Sequence, residues 1–312
     1  MYKNIYGNEI QELKNGTGDD AKFYTDMNGN ILVSEYRIFS GISVIYYSGR
    51  SESILMKNIE NSFIEINHCR EGRIEYENEN FLYYLSAGDI SIGKSCTETL
   101  NFPVRCYSGV SILIETDNSD KNFSDFLSGM NIDLSYLVNK YCGKNNYSVR
   151  RSDPYIKNIF SEFYSVPVSI KKSYIKIKVL ELLLYLMYAE NDNYEIINTS
   201  CSTVHMRIAK EMRAYLTDNI DRHITIAQLA EKFHISESQV KNIFRNAYGM
   251  SVYAYMKMHK MQTAALMLKD TDYSIMEIAL DFGYSNASKF SAAFRDIMGM
   301  PPNLYRNSHN ER

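Results

Sequence analysis

The chain has 312 residues, more than a single hydrophobic core usually organises, so we expect two or three domains. Hydrophobic residues make up 45% and charged residues 23%, which is the balance of a folded soluble protein and excludes an intrinsically disordered chain. The net charge of −3, averaged over the whole chain, gives no sign of a nucleic-acid partner.

Neither a secretory signal nor a membrane span is predicted. The opening residues, MYKNIYGNEIQELKNG, are polar. The longest apolar run, VLELLLYLMY, has about half of the roughly 20 residues that a membrane-spanning helix needs. The cysteines stand far apart without a CxxC pair, so we expect reduced thiols in a cytoplasmic protein. They are Cys69, Cys96, Cys106, Cys142 and Cys201.

Residues 1 to about 117 have the pattern of a β-rich domain. Short runs of β-branched and aromatic residues, such as GISVIYYSG and FLYYLSAGDISIG, alternate with turn signals such as DMNGN and SGRS. Many short strands at this spacing are typical of a sandwich or a small barrel.

Helical spacing replaces this pattern in residues 118–190. The segment SYIKIKVLELLLYLMYAEN carries an apolar stripe at steps of three and four residues, with Lys and Glu between. Such a stripe is typical of core packing and also fits a homodimer seam, so both interpretations stay open. Its members are Ile175, Val179, Leu182, Leu183 and Leu186. Residues 191–204 are polar and aperiodic, and we predict a linker there.

Charge is distributed unevenly along the chain. Residues 205–312 hold 14 Lys and Arg against 11 Asp and Glu, whereas residues 1–204 hold 20 against 26. Five of the six histidines also lie after position 204. A slightly basic C-terminal part permits nucleic-acid binding without requiring it.

The C-terminal part contains one pattern twice. LAEKFHISESQVKNIFRNAYG is echoed about fifty residues later by IALDFGYSNASKFSAAFRDIMG, at an offset of 49 that becomes 50 after Ser285. Each copy predicts a helix, a tight turn and a second helix. Ser236 and Ser285 are the predicted N-caps of the second helices, and a glycine ends each helix. The predicted scaffold is Ala230, Ile235, Ser236, Phe244 and Gly249 in the first copy and Ala279, Gly283, Phe290, Phe294, Gly299 and Pro301 in the second.

The second helix of each copy has a polar outward face. Ser, Asn, Gln, Lys and Arg are the side chains that bind base edges and phosphates, and the one acidic residue among them is Glu237. A repeat used only for packing is the alternative, but solenoids need three or more copies. We therefore predict a double helix-turn-helix reader of double-stranded DNA. The predicted contacts are Ser238, Gln239, Lys241, Asn242, Arg245 and Asn246 in the first copy and Asn286, Ser288, Lys289, Ser291 and Arg295 in the second.

A third helix is predicted between the copies, over residues 251–269, because SVYAYMKMHKMQTAALMLK has helical spacing without Pro or Gly. It would be roughly 28 Å long at ~1.5 Å per residue. This length approaches the ~34 Å between successive major-groove segments on one side of B-DNA. One chain could therefore read a site with two parts.

Residues 205–307 resemble the AraC/XylS transcription regulators. The most specific part of the resemblance is the pattern IxEIAxxxGYxxxxxFxxxFRxxxGxxPxxYR near the C-terminus. It implies helix-turn-helix motifs at about 225–246 and 274–296, joined by helix 251–269, in a regulator that binds promoter DNA and acts with RNA polymerase. It also implies base reading by Ser238, Lys241 and Asn242, with Ala287, Ser288 and Ala292 at the corresponding positions of the second copy.

Two departures from the family pattern matter. Lys260 and Met261 stand where the family often has Arg followed by Leu or Met, so the positive charge is kept but a bidentate contact is lost. Ala292 cannot hydrogen-bond a base, although its methyl group can touch a thymine. The resemblance therefore implies unequal copies, in which the first reads bases and the second anchors the DNA backbone through Lys289 and Arg295.

The segment INHCREGRIEYENENFLYYLSAGDISIG resembles the cupin-like sensor domain of one branch of this family. It implies that residues 1–117 sense a signal and that the helical segment 118–190 carries dimerisation. Arg70 and Arg73 are candidate anchors for an acidic small-molecule effector. Surface salt bridges are the alternative, because Arg73, Glu75 and Glu77 share one face of a strand.

A metal-dependent cupin enzyme is a remote alternative. His68 is the only histidine before position 205, and with Glu71 and Glu75 it makes a poor ligand set, so we predict no metal, no cofactor and no catalysis. We expect His68 to be a strand-end residue bonded to backbone. Cys69 and Cys106 have arginine neighbours that favour a redox-sensitive thiolate, but ordinary half-buried thiols are the simpler interpretation.

These patterns together predict a multidomain α+β protein. Its N-terminal part is a cupin-like β-barrel plus helices, and its C-terminal part is an all-α double helix-turn-helix domain. The predicted function is a DNA-binding transcription regulator, an activator that responds to a sensed signal. A repressor and a ligand-independent regulator, controlled by its abundance or by a protein partner, are the alternatives.

Overall fold

The computed structural model describes residues 10–13, 21–26, 30–49, 53–56, 63–77, 82–94, 98–102, 107–116, 120–142, 147–151, 154–189, 194–196 and 203–310. The chain forms two compact units, residues 1–78 with 84–198 and residues 79–83 with 199–312. The main boundary falls within the segment predicted to be a linker. No helix of the described residues is long and apolar enough to cross a membrane.

The N-terminal unit is built on antiparallel strands. They are β1 (Ile10–Glu12), β2 (Ala21–Asp26), β3 (Ile31–Phe39), β4 (Ile42–Gly49), β5 (Ser53–Met56), β6 (Phe63–Glu77), β7 (Leu82–Ser86), β8 (Ile90–Lys94), β9 (Glu98–Asn101), β10 (Tyr107–Glu115), β11 (Tyr147–Arg150) and β12 (Tyr194–Ile196). The main path runs β1-β2-β3-β4-β10-β6-β8-β11-β12, while β7 and β9 pair with β6, and β5 pairs with β9.

Strand β6 connects two ladders. Its first half pairs with β8 and β10, whereas its last residues, Glu75–Glu77, pair with β9. The ladder between β6 and β10 shifts register between Ser108 and Gly109. A Cβ at Gly109 would lie 2.5 Å from the His68 carbonyl oxygen, so the strands approach too closely there for any larger residue.

Helices cover one face of this sheet. They are α1 (Lys121–Gly129), α2 (Leu134–Cys142), α3 (Pro154–Ser165) and α4 (Lys171–Tyr188), with a 3₁₀ turn at Val168–Ile170. Every member of the predicted α4 stripe is at most 1% exposed and belongs to the hydrophobic core between helices and sheet. The stripe is therefore core packing, and a dimer seam along it is ruled out because this chain already buries it. The outward face of α4 carries Ile177, which is 63% exposed.

Two short strands depart from the predicted organisation. Strand β11 interrupts the helical segment 118–190, and β12 lies inside the predicted linker 191–204. The two strands pair with each other, and β11 also pairs with β8. Such short strands escape sequence reasoning because their stability comes from pairing with distant residues and not from local periodicity.

The C-terminal unit is helical over its described residues. It consists of α5 (Thr203–Asp218), α6 (Ile226–Phe233), α7 (Glu237–Tyr248), α8 (Val252–Asp270), α9 (Ile275–Asp281), α10 (Ala287–Met298) and α11 (Pro302–Asn310). One hydrophobic cluster joins α5, α6, α7 and the start of α8. A second cluster joins the rest of α8 with α9, α10 and α11. Helix α8 thus supplies apolar side chains to two small cores.

Candidate nucleic-acid interface

The first helix-turn-helix consists of α6, a three-residue turn and α7. Thr225 caps α6 in a capping box with Gln228, and Ser236 caps α7 in a second capping box with Gln239. Between them His234 adopts a left-handed backbone conformation with φ 53°, and the N–H of Ile235 donates to the Ala230 carbonyl oxygen at 3.0 Å. The predicted N-cap Ser236 is confirmed.

The faces of α7 divide as the sequence predicts. Val240, Ile243, Phe244 and Tyr248 are buried in the first core, and Gly249 ends the helix at φ 70°. All six predicted contact residues of this helix are exposed. The Oε1 atom of one of them, Gln239, accepts from the Ser236 N–H at 2.9 Å, so the capping box already uses that acceptor.

The second helix-turn-helix consists of α9, a five-residue turn and α10. Ser274 and Glu277 form the capping box of α9. Gly283 holds the left-handed position at φ 75°, and the N–H of Tyr284 donates to the Ala279 carbonyl oxygen at 2.8 Å. His234 and Gly283 are therefore equivalent, as are the two turn hydrogen bonds that follow them.

The predicted N-cap Ser285 is wrong. Asn286 caps α10, and its Oδ1 accepts from the N–H groups of Ser288 and Lys289 at 2.7 and 3.3 Å. Because Ile235 matches Tyr284 while Ser236 matches Asn286, the extra residue of the second copy is Ser285, in the turn. The one-residue slip therefore lengthens the turn and leaves the helix itself unchanged, at twelve residues in both copies.

Helix α10 presents a less polar outer face than α7. Phe290 and Phe294 are buried, and Gly299 ends the helix at φ 79°. The exposed residues are Asn286, Ser288, Lys289, Ala292 and Arg295, whereas Ala287 and Ser291 are half-buried. Asn286 uses its oxygen as the helix cap, which leaves Lys289 and Arg295 as the exposed cations.

Helix α8 joins the two motifs and spans nineteen residues, from Val252 to Asp270, as the spacing predicted. Ser251 caps it. Lys257 of α8 forms an ion pair with Asp296 of α10, which raises the pKa of the lysine and lowers that of the aspartate. Sequence reasoning missed this pair because its members are 39 positions apart.

Lys260 is oriented into the protein and is not part of an exposed DNA-contacting face. Its Nζ donates to the Phe282 carbonyl oxygen at 2.9 Å, at the end of α9. The side chain is half-buried, and this desolvation lowers the pKa of Lys260 although Asp221 raises it. The charge that the family resemblance assigned to DNA thus holds the turn of the second motif to α8.

The same turn meets a loop of the first half. A Cβ at Gly283 would lie 2.5 Å from the carbonyl oxygen of Asp221, which follows α5. Gly283 is therefore required twice, by its positive φ and by the close approach of this backbone. Nothing in the sequence marks Asp221 as its neighbour.

The two effector candidates have different environments. Arg73 is fully buried, its Nε donates to Glu75 Oε1 at 2.8 Å, and its guanidinium lies on the Tyr84 ring. It forms a buried ion pair, so both the surface salt bridge and the open anchor predicted for it are wrong. Arg70 is exposed and lies over the Tyr164 ring, 4.6 Å from its centroid.

His68 lies in the interior of β6 and not at a strand end. Its Nδ1 is 2.8 Å from the Tyr164 hydroxyl, and its ring stacks on Phe160. Burial, with a smaller contribution from Arg70, lowers the pKa of His68 to about 4. The expected bond to backbone is therefore replaced by a side-chain partner.

The described residues contain no group of three His, Cys, Asp or Glu side chains that could hold a metal ion. Glu75, suggested as a ligand beside His68, is paired with Arg73 instead. The Cys69 thiol is buried against the Glu71 and Gly72 carbonyl oxygens. Cys106, the other thiol suggested as a redox sensor, lies outside the described residues, so the redox question stays a prediction.

Comparison with known proteins places the C-terminal region. Residues 229–308 match a family model described as a helix-turn-helix domain. The melibiose operon regulatory protein of Escherichia coli K12 is 28% identical over 102 residues, 33% of this chain and 34% of that protein. The regulatory protein SoxS of the same strain is 28% identical over 103 residues, 33% of this chain and 96% of SoxS.

Among solved structures, the C-terminal domain of AraT, a response regulator from Geobacillus stearothermophilus, is 29% identical. It covers 32% of this chain and 84% of that domain, with a TM-score of 0.32. The chain thus spans about a third of the length of the melibiose regulator that it matches. The C-terminal region is an AraC-type helix-turn-helix region, as its sequence predicted, and its relatives are regulators and not enzymes. The cupin-like identity of the N-terminal unit is not confirmed.

Proposed function

We propose that this protein is a sequence-specific DNA-binding transcription regulator, in which the first helix-turn-helix supplies most of the base readout. The observation that supports this most strongly is the difference between the two outer faces. Helix α7 exposes Ser238, Lys241, Asn242 and Asn246, which carry hydrogen-bonding groups for base edges. Helix α10 exposes Ala292 and uses the Asn286 oxygen as its cap, so its main contribution is the positive charge of its Lys and Arg.

Helix α8 supports reading of a site with two parts. Its length of roughly 28 Å at ~1.5 Å per residue fits two recognition helices placed in successive major-groove segments. The two cores, the ion pair between Lys257 and Asp296 and the bond from Lys260 to Phe282 all hold α8 to its neighbours. A fixed spacer of this kind favours one half-site spacing over others.

The N-terminal unit is proposed to sense the signal. Residues paired directly across antiparallel strands share a face, so Glu65, Asn67 and Ser91 lie on the side of the sheet opposite to Ile64 and Ile66. All three are buried, and burial raises the pKa of Glu65. A polar interior of this kind supports a polar effector, and it replaces Arg73 as the place where such a molecule would be recognised.

The test of base readout compares two variants of the full chain. The target site is first selected from random double-stranded DNA, and affinities are measured on that site and on a scrambled one at fixed salt. Lys241→Ala combined with Asn242→Ala is expected to weaken binding to the selected site roughly 10-fold to 100-fold and to the scrambled site by less than about threefold. A uniform loss on both sequences would refute base reading by these residues.

Two controls accompany this test. Ser288→Ala removes a side chain at the corresponding position of α10 and is expected to change affinity for the selected site by less than about threefold. Lys157→Ala removes an exposed charge in the N-terminal unit and is expected to change nothing. A loss with Ser288→Ala as large as that with the α7 variant would contradict unequal copies.

The sign of regulation is proposed to be activation by contact with RNA polymerase. Transcription in vitro from a promoter that carries the selected site is expected to rise when the protein is added. A fall would assign the protein to the alternative class of repressors. The same assay with extracts of small molecules separates an effector-controlled regulator from one controlled by its abundance.

A further inference from the structure

A cavity of about 420 Å³ lies inside the C-terminal unit, away from the recognition helices. Its walls are the segment from Asn219 to Ile226, one side of α8, and the turn from Phe282 to Tyr284. No residue of α7 or α10 lines it. Its volume falls in the range of about 300–1,000 Å³ found for small-molecule sites.

The cavity wall is mainly apolar. Leu216, Ile224, Ile226, Val252 and Met256 contribute aliphatic and thioether surface. Apolar walls with a small number of placed polar groups are the usual composition of a site for an organic molecule. A bare inorganic ion would leave this surface unused.

The polar group that the cavity offers is the ammonium of Lys260. An ammonium carries three N–H donors, and the Phe282 carbonyl oxygen accepts one of them. Among the described residues no carboxylate forms an ion pair with it, and its half-burial lowers its pKa. Two donors and a positive charge are therefore left for a ligand in a partly desolvated place, where an ion pair is stronger than in water.

The cationic rim adds to this charge. Arg222 and His223 also line the cavity, and Arg222 is held only loosely by Asp221, with 3.9 Å between Nε and the carboxylate. The described lining contains one carboxylate, that of Asp221, against Arg222, Lys257 and Lys260. The charge of the lining is thus complementary to an anion.

We propose that this cavity binds a small organic monoanion with an apolar body, whose carboxylate pairs with Lys260 and whose body lies between Ile224, Val252 and Met256. The segment 219–226 belongs to the first helix-turn-helix half and the turn 282–284 to the second. A bound anion competes with the Phe282 carbonyl for Lys260 and touches both halves. Its binding therefore changes how the protein holds a DNA site with two parts.

Calorimetry on the full chain tests the ligand site. The probes are 2-naphthoate and octanoate, compared with the neutral 2-naphthylmethanol and the cationic 2-naphthylmethylamine. Both carboxylates are expected to bind at least about tenfold more tightly than the alcohol, and the amine more weakly still. Equal binding of alcohol and carboxylate, or no binding of either carboxylate, would overturn the proposal.

Variants locate the binding. Lys260→Met keeps the aliphatic stem and is expected to weaken 2-naphthoate binding at least about tenfold, whereas Lys260→Arg keeps it within about threefold. Met256→Trp fills the cavity and serves as a second variant if Lys260→Met proves unstable. Lys157→Met, an exposed lysine of α3, is the matched control and is expected to bind like the parent. Retained binding in both Lys260→Met and Met256→Trp would place the ligand elsewhere and refute the site.

A second measurement tests the coupling to DNA. Saturating 2-naphthoate is expected to reduce affinity for a two-part site at least about fivefold and for a single half-site by less than about twofold. Unchanged affinity for the two-part site would refute the coupling. This measurement rests on the proposed DNA-binding function, and a chain that binds 2-naphthoate but no DNA would contradict that function while leaving the ligand site standing.

Discussion

The two helix-turn-helix motifs share a scaffold but differ at the turn. The first motif connects its helices with three residues and places His234 in the left-handed conformation, whereas the second uses five residues and places Gly283 there. The first turn is exposed at His234, while the second lies against the Asp221 backbone and the Lys260 ammonium. The second turn thus has a packing role in addition to its local one.

This difference separates two tasks of the repeated unit. Reading bases requires an exposed polar helix, and α7 provides it. Holding the two motifs in a fixed relation requires a turn that packs against the other half, and the turn before α10 provides that. A residue can therefore be equivalent in the two copies by sequence and unequal in its contribution to stability.

The largest expected effect comes from Gly283→Ala. An alanine there would combine a φ of 75° with a Cβ 2.5 Å from the Asp221 carbonyl oxygen, so we expect a loss of more than about 2 kcal/mol of local stability. Hydrogen exchange of the amides of α9 and α10 measures it, because a two-unit chain does not unfold in one step.

The matched variant is His234→Gly in the first copy. It relieves a non-glycine residue at φ 53° but adds entropy to the unfolded chain, so the net change is expected to stay within about 1 kcal/mol. Equal losses from the two variants would show that the turns are equivalent after all.

A smaller effect is expected at the helix caps. Ser236→Ala and Asn286→Ala each remove the side-chain acceptor at a helix start, and each is expected to cost about 1 kcal/mol in exchange protection of its own helix. Ser285→Ala is the control, expected to cost less than about 0.5 kcal/mol because Ser285 lies one residue before the cap. A larger loss at Ser285 than at Asn286 would restore the cap that the sequence predicted.

Lys289→Ala tests the anchoring role of the second copy. Removal of one phosphate contact is expected to reduce the slope of log affinity against log salt by about 1, with similar loss on all DNA sequences. Titrations at several salt concentrations measure the slope. A sequence-selective loss with an unchanged slope would give Lys289 a base contact and make the two copies more alike.

The smallest effect is the pH dependence of one cap. The pKa of Glu277 is lowered because its carboxylate accepts hydrogen bonds from Ser274, so its contribution is present above its unfolded pKa and is lost as pH falls through its folded pKa. The equivalent position in the first copy is Gln228, which does not titrate.

Exchange protection of α9 between about pH 6 and pH 3 is therefore expected to fall more than that of α6. Glu277→Gln should remove this difference, and Gln228→Glu should introduce it in α6. Parallel profiles for α6 and α9 in the parent chain would show that the Glu277 cap contributes nothing measurable.

Local features of the interface were predictable from the sequence. Ser236, Gly249 and Gly299 are found at the helix ends where they were expected, because capping depends on a few adjacent residues. Phe244, Phe290 and Phe294 are buried because the helical period fixes which side chains share a face. The cap at Ser285 was wrong because a one-residue shift inside a turn leaves the flanking periodicity intact.

Interactions between distant residues were not predictable. The partners of Lys260 and Arg73 depend on which backbone atoms and side chains the packing brings within about 3 Å, and a positive charge in the sequence fits equally a DNA contact, a ligand anchor or an internal bond. The α4 stripe shows the same limit, since only its burial against the sheet decided between core and dimer seam.

The sequence by itself determined the helices of the C-terminal unit, their caps and faces, and the repetition of one motif, because these follow from propensity and period over ten to twenty residues. The tertiary structure alone decided that Lys260 binds Phe282, that Lys257 pairs with Asp296 and that Gly283 meets Asp221. Each of these contacts joins residues more than twenty positions apart. Their existence depends on the angle at which helices cross, and many crossing angles are compatible with the same apolar pattern.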